Sequence, residues 1–162
     1  STRLNKLSYS TARVIFLLYA IINGATLASI FYVYSAQNIS SAFFITSGTF
    51  AVMSIAGYFT KKDLSTMGLI LRMSLYGIII ASVVNLFVAN STLDIAINYI
   101  AVVVFVGLTA YDTQKIKQML IDNTEYGSSD VEKKISLFGS LMLYLDFVNL
   151  FLRILRIISR RN

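Results

Sequence analysis

Apolar residues along this chain gather into five long, almost uncharged runs separated by short polar or basic stretches. A helix rises 1.5 Å per residue, so crossing about 30 Å of hydrocarbon takes about 20 such residues. The pattern predicts helices over 14–34, 39–59, 65–89, 93–121 and 135–158. The first carries only uncharged polar residues such as Asn23 and Thr26, and a short link over 35–38 leads to the second. Lys61, Lys62 and Asp63 are the first charges after Arg13, and Arg72 interrupts the third run. The fourth is apolar to Tyr111 and continues as an amphipathic piece over 112–121. The polar stretch 122–134, with Gly127, Ser128 and Ser129, is predicted to be a loop. Period-2 alternation is missing, and open sheet edges cannot sit in lipid. The fold class is therefore all-α, a polytopic transmembrane helix bundle forming a single domain over 1–162.

Composition narrows the chemistry. Hydrophobic residues make up 56% of the 162 positions, above the roughly 45–50% of soluble domains. The net charge of +6 would suggest nucleic acid in a soluble protein. Here the basic residues lie beside the apolar runs, which points to membrane topology and anionic headgroups and to no nucleic-acid partner. With no cysteine and no histidine, thiol chemistry, the usual pH switch and the commonest metal ligands are all excluded. A metal site would have to be built from oxygen, which suits hard cations such as Ca²⁺. Phosphate loops, dinucleotide turns and triads are missing, so neither an enzyme nor a bound cofactor is predicted. Ser1 to Arg13 is polar and basic and the following run exceeds a signal core, so no secretory signal is predicted.

Arg3, Lys6 and Arg13 precede the first run, Lys61 and Lys62 follow the second, and Lys115, Lys117, Lys133 and Lys134 follow the fourth. The links near Ala36 and Asn90 hold no Lys or Arg, which predicts a cytoplasmic N-terminal side. The last run breaks the alternation, because Arg153, Arg156, Arg160 and Arg161 then lie on the far side. Its 24 residues suffice to cross, and Arg153 and Arg156 can snorkel to the far interface. Ala20, Gly24 and Ala28 recur every four residues, a spacing that predicts close helix packing on that face. Asn23, Asn85 and Asn149 are predicted to join helices by hydrogen bonds.

Asp146 is the sharpest signal. It lies on the order of 14 Å into an apolar run, where an aspartate costs roughly 2.5–3.5 kcal/mol and marks an ion or proton pathway. Asp112 stands at the end of the preceding run, and a shared loop makes the two helices neighbours. Two carboxylates in one low-dielectric site do not both ionise cheaply, so one keeps a proton. Tyr144 and Asn149 are the nearby polar candidates to support Asp146. Arg72, roughly 10 Å into its run, is expected to snorkel towards Lys61, with pairing to an aspartate as the other outcome. Two aspartates on adjacent helices also suit an intramembrane aspartyl protease, but neither stands in the Gly-flanked setting of such enzymes.

Four stretches carry a resemblance: Asn23–Leu27, Gly57–Leu64, Gly107–Ile116 (Gly-Leu-Thr-Ala-Tyr-Asp-Thr-Gln-Lys-Ile) and Leu143–Phe151 (Leu-Tyr-Leu-Asp-Phe-Val-Asn-Leu-Phe). With them the chain resembles the Bax-inhibitor (transmembrane BAX inhibitor motif) family, above all its bacterial inner-membrane members. The resemblance implies helices three to seven of a seven-helix protein, and a pH-sensitive calcium leak with Asp112 and Asp146 as its acidic pair and weak calcium site. It also implies a basic latch over that pair, for which Lys6 and Arg3 are the nearest matches. Arg72 departs from a usually apolar family position. The rival implication is a membrane-integral regulator that binds a membrane protease or a stress or cell-death complex.

Overall fold

The computed structural model describes residues 8–124 and 129–161. Helices account for almost all of them: α1 (Tyr9–Ala28), α2 (Ile30–Val33), α3 (Ala36–Phe59), α4 (Ser65–Val88), α5 (Ser91–Thr124) and α6 (Ser129–Arg161). With α1 and α2 taken as one span, five helical segments are long and apolar enough to cross a membrane. The molecule is a polytopic helical bundle, and the described residues contain no strand.

The five spans fall where the apolar runs are, but their ends differ from the expectation. The first span begins at Tyr9, where the Ser8 hydroxyl accepts from the Thr11 amide at 3.2 Å and so satisfies an orphan donor of the first turn. It then breaks at Ser29, whose hydroxyl donates to the Thr26 carbonyl at 2.7 Å, drawing an acceptor out of the helical ladder. The predicted link 35–38 shrinks to Ser35, which caps α3 by accepting from the Asn38 amide. The predicted loop 122–134 is mostly helix: α5 runs on to Thr124 and α6 starts at Ser129, with only 125–128 outside the described residues. Asp130 and Glu132 lie in the first turn of α6, and Asp130 pairs with Lys134 one turn on at 3.1 Å; both favour a helix there. Counting apolar residues finds where the lipid ends, not where the helix ends. At about 51 and 50 Å, α5 and α6 outreach the hydrocarbon by roughly 20 Å.

The core lies along α5 and α6, which pack antiparallel over their lengths, with α3 and α4 against α5 and α1 leaning on α6. Ala101, Phe105 and Leu108 of α5 meet Leu150, Ile154 and Leu155 of α6 there. Of the small-residue stripe on α1, only Ala20 faces the bundle. Gly24 and Ala28 are exposed, no α1 residue is buried, and α1 turns Phe16, Ala20, Asn23 and Leu27 inward. At the start of α4, the Asp63 carboxylate accepts from the Ser65 amide at 2.9 Å. The Ser65 hydroxyl, and after it this amide bond, hold the exposed carboxyl below its ordinary value of 3.8. At the other end Ala89 closes α4 at φ 51, with its amide on the Asn85 carbonyl. Asn85 spends its side chain on the Asn90 amide, so it caps a helix where a helix-joining bond was expected.

Candidate functional site

The segment Gly107–Gln114 of α5 touches three other helices. A side chain at Gly57 of α3 would collide with the Ala110 carbonyl, so α3 approaches α5 backbone to backbone. On α4, Gly68 leaves room for the Tyr111 ring, and Leu71 fills the space beside Gly107. Gln114 is buried and spans the α3–α4 turn: its amide donates to the Lys62 carbonyl at 2.8 Å and accepts from the Leu64 amide at 3.0 Å. Lys117 adds a bond to the Tyr58 carbonyl at 2.7 Å. These contacts fix the rotation of α5 and hence the direction of Asp112.

Asp112 is 7% exposed and Asp146 6%, and their carboxyls interact directly across the α5–α6 seam. Phe147, the next residue, packs edge-to-face on Phe43 and Phe50 of α3 with ring centroids 5.9 and 5.5 Å away, holding α6 at this level. Asp112 Oδ1 and Asp146 Oδ2 are both buried without a hydrogen-bond partner. Buried polar atoms of that kind are rare in folded proteins, and two in one pair leave acceptor capacity that a proton or a cation can take up. Among the described residues no group of three or more acidic side chains comes together. The pair by itself offers far fewer oxygens than the six to eight of a resident calcium cage.

Arg72 does not snorkel away. Its Nη2 stands 3.6 Å from Asp112 Oδ1 and its guanidinium lies over the Tyr111 ring, 4.9 Å from the centroid. Pairing wins because Gly68, one turn earlier, lets Tyr111 lie flat as a platform for the guanidinium. Tyr144 and Asn149 do not support Asp146. The Tyr144 hydroxyl accepts from Asn23 of α1 at 3.0 Å, and the Asn149 amide donates to the Leu145 carbonyl of its own helix. Asn23 thus joins two helices as expected, whereas Asn149 does not. Lys6 and Arg3, the latch candidates, lie outside the described residues.

A second polar cluster went unread in the sequence. At the opposite end of the seam, Asp94 of α5 takes Arg156 at 3.6 Å and Arg160 as ion-pair partners. Asn98, 1% exposed, donates to the Asp94 carbonyl at 2.7 Å and accepts from Arg153 Nη1 at 3.1 Å. Arg153 bonds the buried Asn98 and Arg156 the Asp94 carboxylate, so both join α6 to the first half of α5. The signal was available: Asp94, Asn98, Ala101, Phe105, Leu108 and Asp112 follow one another at three- and four-residue steps, so they share one helix face.

A family model described as "Inhibitor of apoptosis-promoting Bax1" matches residues 1–162. The inner membrane protein YbhL of Escherichia coli (strain K12) is 48% identical over all of this chain and 69% of its own length. An uncharacterized protein of Borreliella burgdorferi is 47% identical over the same shares. RP147 of Rickettsia prowazekii, also uncharacterized, is 42% identical over 97% of this chain and 65% of its own length.

Proposed function

This chain belongs to the family of inhibitors of apoptosis-promoting Bax1, and from that premise we propose that it is a pH-gated calcium leak pathway, a conduit rather than an enzyme. The inner-membrane location of its E. coli relative supports placing the pathway in a bacterial inner membrane. The observation that carries the reading is the Asp112–Asp146 pair, two adjacent buried carboxyls each with an oxygen lacking a hydrogen-bond partner.

The chemistry follows from charge. With one proton on the pair, the remaining negative charge is offset by Arg72 at 3.6 Å, and a divalent cation gains little by entering. Once that proton leaves, two hard oxygen donors face each other with Arg72 alone at ion-pair distance, and Ca²⁺ fits the deficit. So few ligands hold it weakly, as conduction requires. Arg72 on α4 and Lys115 on α5 are the charged neighbours of the pair. No cofactor enters this scheme, and calcium is the substrate.

Calcium flux into proteoliposomes over a pH series tests it. Asp112→Asn and Asp146→Asn are each expected to cut flux by about tenfold or more, the scale of losing one close charge interaction. Unchanged flux and an unchanged pH response in both variants overturn the proposal. The projecting α5–α6 hairpin, with Lys117, Asp130, Glu132, Lys133 and Lys134, favours the rival role of a regulator docking on a membrane protease or stress complex. Partner binding that survives both substitutions, with no flux, selects that role.

A further inference from the structure

Between the two polar clusters, the α5–α6 seam is apolar. Counted from Asp112, the seam residues of α5 are Leu108, Phe105 and Ala101 before Asn98; counted from Asp146, those of α6 are Leu150 and then Arg153. At 1.5 Å per residue, Arg153 has its Cα about 10 Å beyond Asp146, whereas Asn98 lies about 21 Å beyond Asp112. The Arg153 side chain must therefore extend along the seam to reach Asn98, placing a guanidinium just past the apolar plug on the line from the acidic pair to the far face. Its charge is handled differently from its neighbours'. Arg156 and Arg160 share the Asp94 carboxylate, whereas Arg153 bonds an uncharged amide and forms no ion pair among the described residues.

Resting on the transport reading above, we infer that Arg153, tethered to Asn98 behind the Leu150–Phe105 plug, is the charge barrier that sets divalent against monovalent passage through the far half of the seam. A fixed positive charge repels an ion in proportion to the ion's own charge, so it holds back Ca²⁺ twice as strongly, in free energy, as K⁺. Loosened packing, by contrast, would admit both ions alike. The arrangement lets the acidic pair attract calcium while the far half keeps the leak small.

Calcium and potassium fluxes in proteoliposomes carrying the protein, with Arg153→Gln, Arg153→Met and Arg153→Lys variants, decide the matter. Removing the charge is expected to raise K⁺ flux about tenfold and Ca²⁺ flux about a hundredfold, the effect of a unit charge roughly 12 Å away at an effective dielectric of about 20. The calcium-to-potassium ratio thus rises about tenfold in the Gln and Met variants and stays at the wild-type value in the Lys variant. Arg153→Met keeps the apolar stem and serves where Arg153→Gln folds poorly. A ratio that is unmoved, or that rises equally in the Lys variant, overturns the barrier. An unmoved ratio alongside flux abolished by Asp112→Asn removes the barrier and leaves the transport reading standing. No calcium flux in any variant or in the parent protein overturns both.

Discussion

The two ends of the α5–α6 seam solve the same problem in opposite ways. Each places aspartate between the same two helices. At one end Asp94 is surrounded by Arg156, Arg160 and the Asn98 amide, so its charge is fully answered. At the other, Asp112 and Asp146 face one another, and a single guanidinium, that of Arg72 at 3.6 Å, serves two carboxyls. A charge inside a membrane is expensive wherever it sits. Satisfying it gives a clamp, and leaving it partly unanswered gives, on the transport reading proposed above, a place for an incoming ion. The bundle is thus held together at one end and left chemically incomplete at the other.

The largest expected effect tests that contrast by sign. Asp146→Leu exchanges an under-satisfied buried carboxyl for an apolar side chain and is expected to raise the unfolding free energy by about 2 kcal/mol. Asp94→Leu strands two partly exposed arginines and one acceptor-seeking amide, and is expected to lower it by about 2 kcal/mol. Denaturant unfolding in detergent measures both, and a shift of the same sign in both variants breaks the comparison. Gln114→Ala, which frees two partly buried backbone groups of the α3–α4 turn, is expected to cost about 1 kcal/mol in the same measurement. Arg72→Leu removes a long ion pair and a cation–π contact and is expected to cost about 1 kcal/mol. In a double-mutant cycle with Asp112→Asn, the coupling is expected below about 1 kcal/mol. A larger coupling would mean that the acidic end is clamped after all.

The smallest effect belongs to Asp63, outside the spans. Its Ser65 hydrogen bonds hold the carboxyl below 3.8, so its contribution is complete above the unfolded value and lost as pH falls through the folded one. Asp63→Asn is therefore expected to lower stability slightly at neutral pH, with that difference from the parent vanishing below about pH 4 and flux unchanged throughout. A change in the neutral-pH flux profile would place part of the gating in that turn rather than in the pair.

Much of this was legible in the chain. Run length sufficed for five spans, because lipid leaves an apolar helix as almost the only solution. Asp146 stood out because few residues are as costly at its depth, and Asp112 because it ends the run that a shared loop makes its neighbour. Helix ends were less legible, since polar turns such as Ser129–Lys134 stay helical through capping charges and pairs that hydropathy does not see. Arg72 was misjudged because its partner depended on Gly68 making room for Tyr111, a contact between α4 and α5 that spacing within one helix cannot reveal. The Asp94 cluster was missed for a related reason: Asp94 and Asn98 acquire their arginine partners only where two helices meet.

The length of α5 has a mechanical side. Its 34 residues run unbroken from Ser91 to Thr124, the chain contains no proline, and Gly107, the glycine within it, is pinned against Leu71. Such a rod has no joint. Asp94 at one end and the projecting hairpin at the other are fixed to the same stiff lever, with Asp112 roughly 27 Å along it from Asp94. A pull on the hairpin is therefore felt at the acidic pair and at the arginine clamp together, and neither end can yield without moving the other.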